Sequence, residues 1–286
     1  MDSNWSLDSH TILYGVFGDP IRHSKSPIML NRAFREVGLN AAYGAFHILP
    51  GTLKEAVNGI RALGFRGVNV TIPHKVELME YLDEIDEGAR QIGAVNTIVN
   101  EKGRLIGYNT DGIGYVRSLK EETGIDLAGK RVLMLGAGGA ARGVGYALAK
   151  EGAARITIAN RTKERAEELA EYMARFTEAE GIGLEQVAQA ASEADLIVNN
   201  TSVGMHPNVD EVPMDTALIR EGIVVSDLVY NPLVTKFLRE AQQRGAAIHS
   251  GLGMFIYQGA YAFEYWTGLP APIQAMREVV EQSFNE

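Results

Sequence analysis

The chain has 286 residues, 46% hydrophobic and 22% charged, the balance of a globular protein with one large domain or two ordinary ones. Its 27 Lys and Arg against 36 Asp and Glu leave a net charge of −9, which argues against a general nucleic-acid footprint. The absence of cysteine removes disulfides, thiolate metal sites and a cysteine nucleophile together, and no apolar run reaches the roughly 18 residues of a membrane helix.

The start, Met1-Asp2-Ser3-Asn4-Trp5, has neither a basic stretch nor a long apolar core. It does not read as a signal peptide, so a cytoplasmic chain is expected, with residues 1–10 a disordered extension. Residues 11–17 read as a buried strand. A helix begins at Ser26, with Pro27 in its first turn, apolar residues at Ile28, Leu30, Phe34 and Val37, and Gly38 to close it. Strand 42–48, helix 52–63 before Gly64, and strand 65–71 stopped by Pro73 follow. Residues 97–100 and 104–108 flank Glu101-Lys102-Gly103, the pattern of a hairpin. After Asp111 the series restarts with helix 114–122, strand 131–135, a glycine-rich turn, helix 140–150, strand 155–159 and helix 163–176. Short strands at 196–199, 224–226 and 246–249 precede two apolar helices, 254–266 and 272–283. This alternation predicts an α/β protein with two open, mostly parallel sheets covered by helices on both faces. The boundary is expected at Asp111-Gly112-Ile113-Gly114.

Strand 131–135 runs directly into Gly136-Ala137-Gly138-Gly139-Ala140-Ala141, which opens a helix. This is G-x-G-x-x-A in the strand–turn–helix context that a dinucleotide fingerprint requires. Gly136 permits the tight turn, Gly138 lets backbone approach a pyrophosphate, and Ala141 permits close helix–strand packing. The helix N-terminus offers unpaired N–H groups and a positive dipole end to phosphates. The next strand ends in Asn160-Arg161-Thr162-Lys163-Glu164-Arg165, where an NAD site would carry a carboxylate for the ribose 2′-hydroxyl. Arg161 offers a planar fork to a 2′-phosphate instead, and Arg165, four residues on, can face the same side. The cofactor predicted is NADP. The plainer alternative is a solvated helix start, with Thr162 as N-cap and Arg165 paired to glutamates.

Three polar clusters end strands in the first half. In His23-Ser24-Lys25-Ser26-Pro27, Ser26 reads as an ordinary N-cap, whereas Ser24 has no such role. Asn69-Val70-Thr71-Ile72-Pro73-His74-Lys75 puts a stiff polar turn at the edge where open α/β sheets bind ligands. There Lys75 can be a plain surface lysine, and His74 reads as structural. Gly93-Ala94-Val95-Asn96-Thr97 and Gly107-Tyr108-Asn109-Thr110-Asp111-Gly112 form the third cluster, and Asp111 before glycine can be a turn residue.

Taken together with Asn200-Thr201-Ser202-Val203-Gly204-Met205, Asp227-Leu228-Val229-Tyr230-Asn231-Pro232, Gly253-Met254 and Gln258, these motifs resemble the shikimate dehydrogenase family over essentially the whole chain. The resemblance implies NADPH-dependent, reversible reduction of 3-dehydroshikimate to shikimate, on the route to chorismate and the aromatic amino acids. It implies a substrate domain of residues 1–111 plus 250–286 and a Rossmann-like NADP-binding domain of residues 112–249. By the same resemblance Ser24, Ser26 and Tyr230 hold the substrate carboxylate, and Thr71, Asn96 and Gln258 bind ring hydroxyls. Lys75 and Asp111 form the catalytic pair. The implied cofactor site comprises Gly136, Ala137, Gly138, Gly139, Ala140, Asn160, Arg161, Thr162, Arg165, Thr201, Gly251 and Met254. A small-molecule substrate is the implied partner, with no nucleic acid and no membrane. The family contains monomers and homodimers.

The chemistry supports Lys75 and Asp111 independently. Hydride arriving at a ketone carbon leaves negative charge on oxygen, so a cation or proton donor must lie beside it. Lys75 can fill that role, with Asp111 orienting the ammonium and hydrogen-bonding a hydroxyl. Three rivals share the architecture or the cofactor. A quinate/shikimate dehydrogenase would show broader substrate and NAD use, against which stand Asn160-Arg161-Thr162 and the intact Ser24/Ser26 pair. A methylene-tetrahydrofolate-type dehydrogenase fits the first-half motifs poorly. A non-catalytic NADP-binding sensor could dispense with Lys75, Asp111 and the serines, all of which are present. The six histidines (His10, His23, His47, His74, His206 and His249) show no metal-ligand spacing, so no metal is expected.

Overall fold

The computed structural model describes residues 7–284, so residues 1–6 of the expected extension lie outside the described residues. Two compact units are present: the chain up to Thr110 together with the part from Gln258 onward, and Asp111–Tyr257.

The first unit contains β1 (Ile12–Gly18), α1 (Ser26–Glu36), β2 (Ala41–His47), α2 (Leu53–Ala62), β3 (Gly67–Val70), β4 (Glu84–Ile85), α3 (Glu87–Ile92), β5 (Thr97–Glu101) and β6 (Arg104–Tyr108). Its sheet has the order β2-β1-β3-β5-β6-β4. β1 lies parallel to β2 and β3, and β5 alone runs antiparallel, between β3 and β6. The hairpin joining β5 to β6 turns through Lys102 and Gly103, with φ of 55° and 97°. Positive φ at both central residues defines the turn whose twist matches paired strands. Asn100 secures it by accepting the Gly103 N–H at 2.7 Å. α1 buries Met29, Leu30, Ala33 and Phe34 on one stripe.

The second unit contains α4 (Asp111–Thr123), β7 (Arg131–Leu135), α5 (Gly139–Lys150), β8 (Arg155–Ala159), α6 (Lys163–Met173), β9 (Glu178–Ile182), α7 (Val187–Glu193), β10 (Leu196–Asn199), β11 (Val224–Asp227), α8 (Lys236–Gln243), β12 (Ala247–His249) and the start of α9 (Gly251–Thr267). All six strands are parallel, in the order β12-β11-β10-β7-β8-β9. This is the doubly wound order, which reverses between β7 and β10 and opens a crevice at their C-terminal ends. β10 and β11 are buried along their whole length, as central parallel strands require.

Several elements differ from the sequence expectation. The helix expected from Gly114 begins at Asp111. Gly112 is therefore no turn residue: a Cβ there would lie 2.4 Å from the Gly143 carbonyl oxygen, so its glycine lets α4 cross α5. β4, α3, β9, α7 and α8 were not anticipated. β4 has only two residues, and β9 is an acidic outer strand, Glu-Ala-Glu-Gly-Ile, without apolar alternation. The helix expected at 254–266 starts about a turn earlier, at Gly251.

From Gln258 onward α9 belongs to the first unit, followed by α10 (Ile273–Gln282). Trp266 donates its indole N–H to the Ile98 carbonyl at 2.9 Å. It lies over Gly67, where a Cβ would meet the indole nitrogen at 2.0 Å. Among the described residues no helix is long and apolar enough to cross a membrane.

Candidate active site

In the first unit the sequence-derived residues collect at one sheet edge, where β1, β3 and β6 end and β5 begins. Ser24 lies in the loop after β1 and accepts the Ser26 N–H on its hydroxyl at 3.3 Å. Lys25, not Ser26, occupies the N-cap position of α1, and no side chain caps it. Ser26 is therefore not the expected capping residue. Its side chain is instead buried next to the Tyr43 phenol, which burial pushes well above its ordinary pKa.

From there a chain of buried polar groups crosses the sheet. The Tyr43 hydroxyl donates to Asn69 Oδ1 at 2.7 Å, and the Asn69 amide donates to Thr97 Oγ1 at 3.0 Å. The Thr97 hydroxyl donates to Asn96 Oδ1 at 3.0 Å, which also accepts the Thr110 N–H at 2.8 Å. Satisfied in this way, a buried polar network rigidifies what it holds. Asn96 is thus fixed by its neighbours, and Thr110, the residue before Asp111, is fixed with it.

Thr71 follows β3. Its N–H donates to the Phe17 carbonyl at 2.9 Å, and its methyl occupies the space left by Gly18, where a Cβ would be 2.5 Å away. Lys75, half-buried, accepts the Val95 N–H on its carbonyl at 2.9 Å. Beside it His74 is buried, with Nε2 2.7 Å from the Ile48 carbonyl oxygen; that contact makes Nε2 the donor. His74 is a tether between two loops, as its sequence context suggested. Gln258 lies on α9 beside Gly259, which passes so close to α1 that a Cβ would be 2.3 Å from Met29 Cε.

In the second unit the glycine-rich turn sits at the crevice of the doubly wound sheet. Gly136 has φ 98°, and a Cβ on it would meet Thr201 Cγ2 at 2.6 Å. Its glycine is demanded by the fold. Gly138 and Gly139 differ, since nothing lies within 4 Å of a Cβ at either position. No contact inside the chain explains them, whereas close approach of a phosphate to backbone does. Gly138 occupies the N-cap of α5 without a side-chain cap, so the first N–H groups of that helix face outward. Ala141 is fully buried behind them. Asn160 ties the turn to the end of β8, accepting the Ala137 N–H at 3.4 Å and donating to the Thr162 carbonyl at 2.8 Å. Arg161 and Arg165 are exposed, and among the described residues neither pairs with a carboxylate, unlike Lys163, which lies 3.2 Å from Glu167. Thr162 occupies the N-cap position of α6 but makes no capping hydrogen bond. A cofactor with an extra phosphate on its adenosine ribose fits this donor set, and an NAD-type carboxylate is missing from it.

Thr201 donates its N–H and its hydroxyl to Asn199 Oδ1, at 3.0 and 2.7 Å. A Cβ on Gly251 would lie 2.1 Å from the Leu228 oxygen, so α9 starts hard against the segment after β11. Met254, one turn on, packs on the core that includes Ala141 and Val144. Tyr230 stacks on Phe255 with ring centroids 5.1 Å apart, and burial raises its phenol pKa, which keeps it a proton donor near neutrality. Asp111 is the first residue of α4 and half-buried. Lys75 lies in the first unit, and Asp111 and Tyr230 in the second.

Comparison with known proteins agrees along the chain. Residues 16–98 match the shikimate dehydrogenase substrate binding domain, residues 118–228 the shikimate/quinate 5-dehydrogenase family, and residues 251–281 the shikimate 5′-dehydrogenase C-terminal domain. A shikimate dehydrogenase (NADP(+)) of Geobacillus sp. (strain WCH70) is 52% identical over 268 residues, covering 94% of this chain and 97% of that protein. The chain belongs to the shikimate dehydrogenase family. A solved shikimate dehydrogenase in complex with NADP+ superposes with a TM-score of 0.90 at 46% identity, covering 97% of each chain. The shikimate 5-dehydrogenase of Thermus thermophilus, in complex with NADP(H) and shikimate, gives a TM-score of 0.86 at 39% identity, covering 95% of this chain and 99% of its own.

Within this family member, sequence reasoning missed the buried supports of the site. Tyr43, Asn69, Thr97, Asn199 and Asp227 touch one another or the site loops yet received no role. Their signal was present: Asn69 and Asn199 are the polar residues of otherwise apolar strands, and Asp227 is a charged residue ending a fully buried one. Such a residue needs partners, because an unpaired polar group is costly to bury.

Proposed function

We propose that this chain is an NADP-dependent oxidoreductase that interconverts 3-dehydroshikimate and shikimate. Full-length kinship with NADP(+)-dependent shikimate dehydrogenases carries the reading. Bound NADPH supplies the hydride. Gly138, Gly139 and the first turn of α5, with Ala137 and Ala140, receive the pyrophosphate. Asn160, Arg161, Thr162 and Arg165 receive the 2′-phosphate, and Thr201, Gly251 and Met254 complete the cofactor site.

Ser24, Ser26 and Tyr230 hold the substrate carboxylate through hydroxyl donors, and Thr71, Asn96 and Gln258 orient the ring hydroxyls. As hydride reaches the carbonyl carbon, Lys75 delivers a proton to the carbonyl oxygen, so no free alkoxide forms. Asp111 orients the Lys75 ammonium and accepts from a substrate hydroxyl. In the reverse direction Lys75 receives the hydroxyl proton as hydride leaves. The acidic, cysteine-free composition fits a cytoplasmic enzyme whose partner is a small molecule, with neither nucleic acid nor membrane, as a monomer or homodimer.

The test is nucleotide reduction with shikimate or quinate, each offered NADP+ or NAD+. Turnover with shikimate and NADP+ is expected to dominate. Strong turnover only with quinate and NAD+ would overturn the reading, and NADP+ binding without shikimate oxidation would replace it with a sensor.

A further inference from the structure

We propose that Asp227 is a positioning residue whose ionised carboxylate holds both the Thr201 loop and the Tyr230 loop in their working geometry. The proposal rests on the site reading above and adds a residue that touches neither substrate nor cofactor. Asp227 ends β11, opposite Asn199 at the end of β10, and both are fully buried. Its Oδ1 accepts the Asn199 amide at 2.9 Å and the Val229 N–H at 3.0 Å. Its Oδ2 accepts the Thr235 hydroxyl at 2.7 Å.

Each partner leads to a different part of the site. Asn199 holds Thr201 by two hydrogen bonds, and Thr201 in turn sets the space available at Gly136. Val229 precedes Tyr230, and its carbonyl accepts the Gly251 N–H at 3.2 Å, at the first residue of α9. Thr235 caps α8 by accepting the Leu238 N–H at 3.3 Å. One carboxylate is thus the common anchor for the loop after β10, the loop after β11 and the start of α9. Aligning apolar strands needs no charge there, and a buried carboxylate is costly.

The charge is also titratable. Burial raises the Asp227 pKa to about 6, opposed by its bonds to Val229, Thr235 and Asn199. The basic side chains of α8 and the histidine of β12 are engaged elsewhere. On α8, Lys236 donates to the Asp210 carbonyl at 3.0 Å and lies 4.0 Å from Glu240, and Arg239 donates to the Val234 carbonyl at 3.4 Å. On β12, His249 sits between the Ser118 and Ser226 hydroxyls, at 2.6 and 2.9 Å. Proton uptake by Asp227 would reverse its bond to Thr235 and weaken the charge-assisted hold on Asn199 and Val229.

The experiment compares wild type with Asp227→Asn and Thr235→Val, reading NADP+ binding by titration, kcat and KM from pH 5 to 9, and melting temperature. Asp227→Asn retains an acceptor for Asn199 and Val229. It is expected to fold, melt no lower than wild type at pH 7, and raise the Kd for NADP+ and the KM for shikimate about tenfold, with kcat changed less. A residue that served stability alone would not weaken binding while stability holds. Thr235→Val removes a donor to the carboxylate, so the midpoint of the acidic limb of kcat/KM moves to higher pH, and Thr235→Ser restores it. Wild-type constants and an unmoved pH profile in Asp227→Asn would overturn the proposal. Should that variant fail to fold, an unmoved acidic limb in Thr235→Val would overturn it equally. Absence of NADP+-linked shikimate oxidation in wild type would instead sink the site reading itself.

Discussion

Asn31 and Tyr43 exchange two hydrogen bonds: the Asn31 amide donates to the Tyr43 carbonyl at 2.9 Å, and the Tyr43 N–H donates to Asn31 Oδ1 at 2.9 Å. β2 is an edge strand, and its sequence from Ala41 to Phe46 has no charge and no proline. A helix side chain therefore occupies the backbone groups that a foreign strand would pair with. Asn31→Leu is expected to destabilise the fold by about 1–3 kcal/mol, through two unsatisfied backbone groups. It should also introduce concentration-dependent aggregation. Urea titration and light scattering check the two effects, and wild-type behaviour in both would remove Asn31 from this role.

Lys75→Ala is expected to lower kcat roughly 10²–10⁴-fold, the range of a lost acid–base group, and to change the KM for shikimate much less. Steady-state kinetics in both directions decide it. Retention of near wild-type kcat would exclude Lys75 from proton transfer.

Arg161→Ala should raise the KM for NADP+ by about 10–100-fold, the scale of a lost charge-assisted contact, while leaving the KM for NAD+ nearly unchanged. Equal effects on the two nucleotides would show that Arg161 does not face the 2′-phosphate.

The glycines of the turn should separate by substitution. Gly136→Ala is strained by its φ of 98° and clashes with Thr201, so it should lower the melting temperature. Gly138 has φ −83° and ψ −175°, ordinary extended backbone, with open space around a Cβ. Gly138→Ala should leave the melting temperature unchanged and weaken NADP+ binding. Calorimetry with and without NADP+ tests the pair, and a stability loss in Gly138→Ala would assign that glycine to folding.

Asp227 gives stability an unusual pH dependence. Its pKa is about 6 in the fold against 3.8 without it, so the native state binds the proton more tightly. The stabilisation is fully present below about pH 4 and is lost as pH rises through about 6, for a total of about 3 kcal/mol. Asp227→Asn should flatten that slope. Denaturant titrations at pH 4, 5, 6 and 7 measure it, and parallel curves for wild type and variant would contradict the assignment.

Much of the site was legible because its chemistry needs side chains whose local setting is also local in sequence. The strand–turn–helix around Gly136 and the arginine after β8 each declare themselves within a short stretch of chain. The errors came where tertiary contacts reassign a residue. Asp111-Gly112 has turn chemistry, yet the Gly143 carbonyl of the neighbouring helix makes Gly112 a packing residue inside α4. Ser26 has N-cap chemistry, yet the helix takes it in as its first residue after Lys25 and buries its side chain. β9 stayed hidden because two of its five residues are glutamates and its glycine serves α6, where a Cβ would meet the Glu167 nitrogen at 2.4 Å. The polar relay from Tyr43 to Thr110 spans β2, β3 and β5, and no local pattern announces which of its members will meet.

The first unit is discontinuous: its sheet is complete at Tyr108, but Trp266 and the helix that packs on α1 come only with the segment from Gln258 onward. On the ribosome the unit begun first is therefore finished last. Every strand and helix of Asp111–Tyr257 leaves the tunnel while the earlier sheet still lacks the indole over Gly67 and the partner of Met29. A stop codon late in the message damages the segment made earliest, and the second unit can mature before the unit whose chain precedes it.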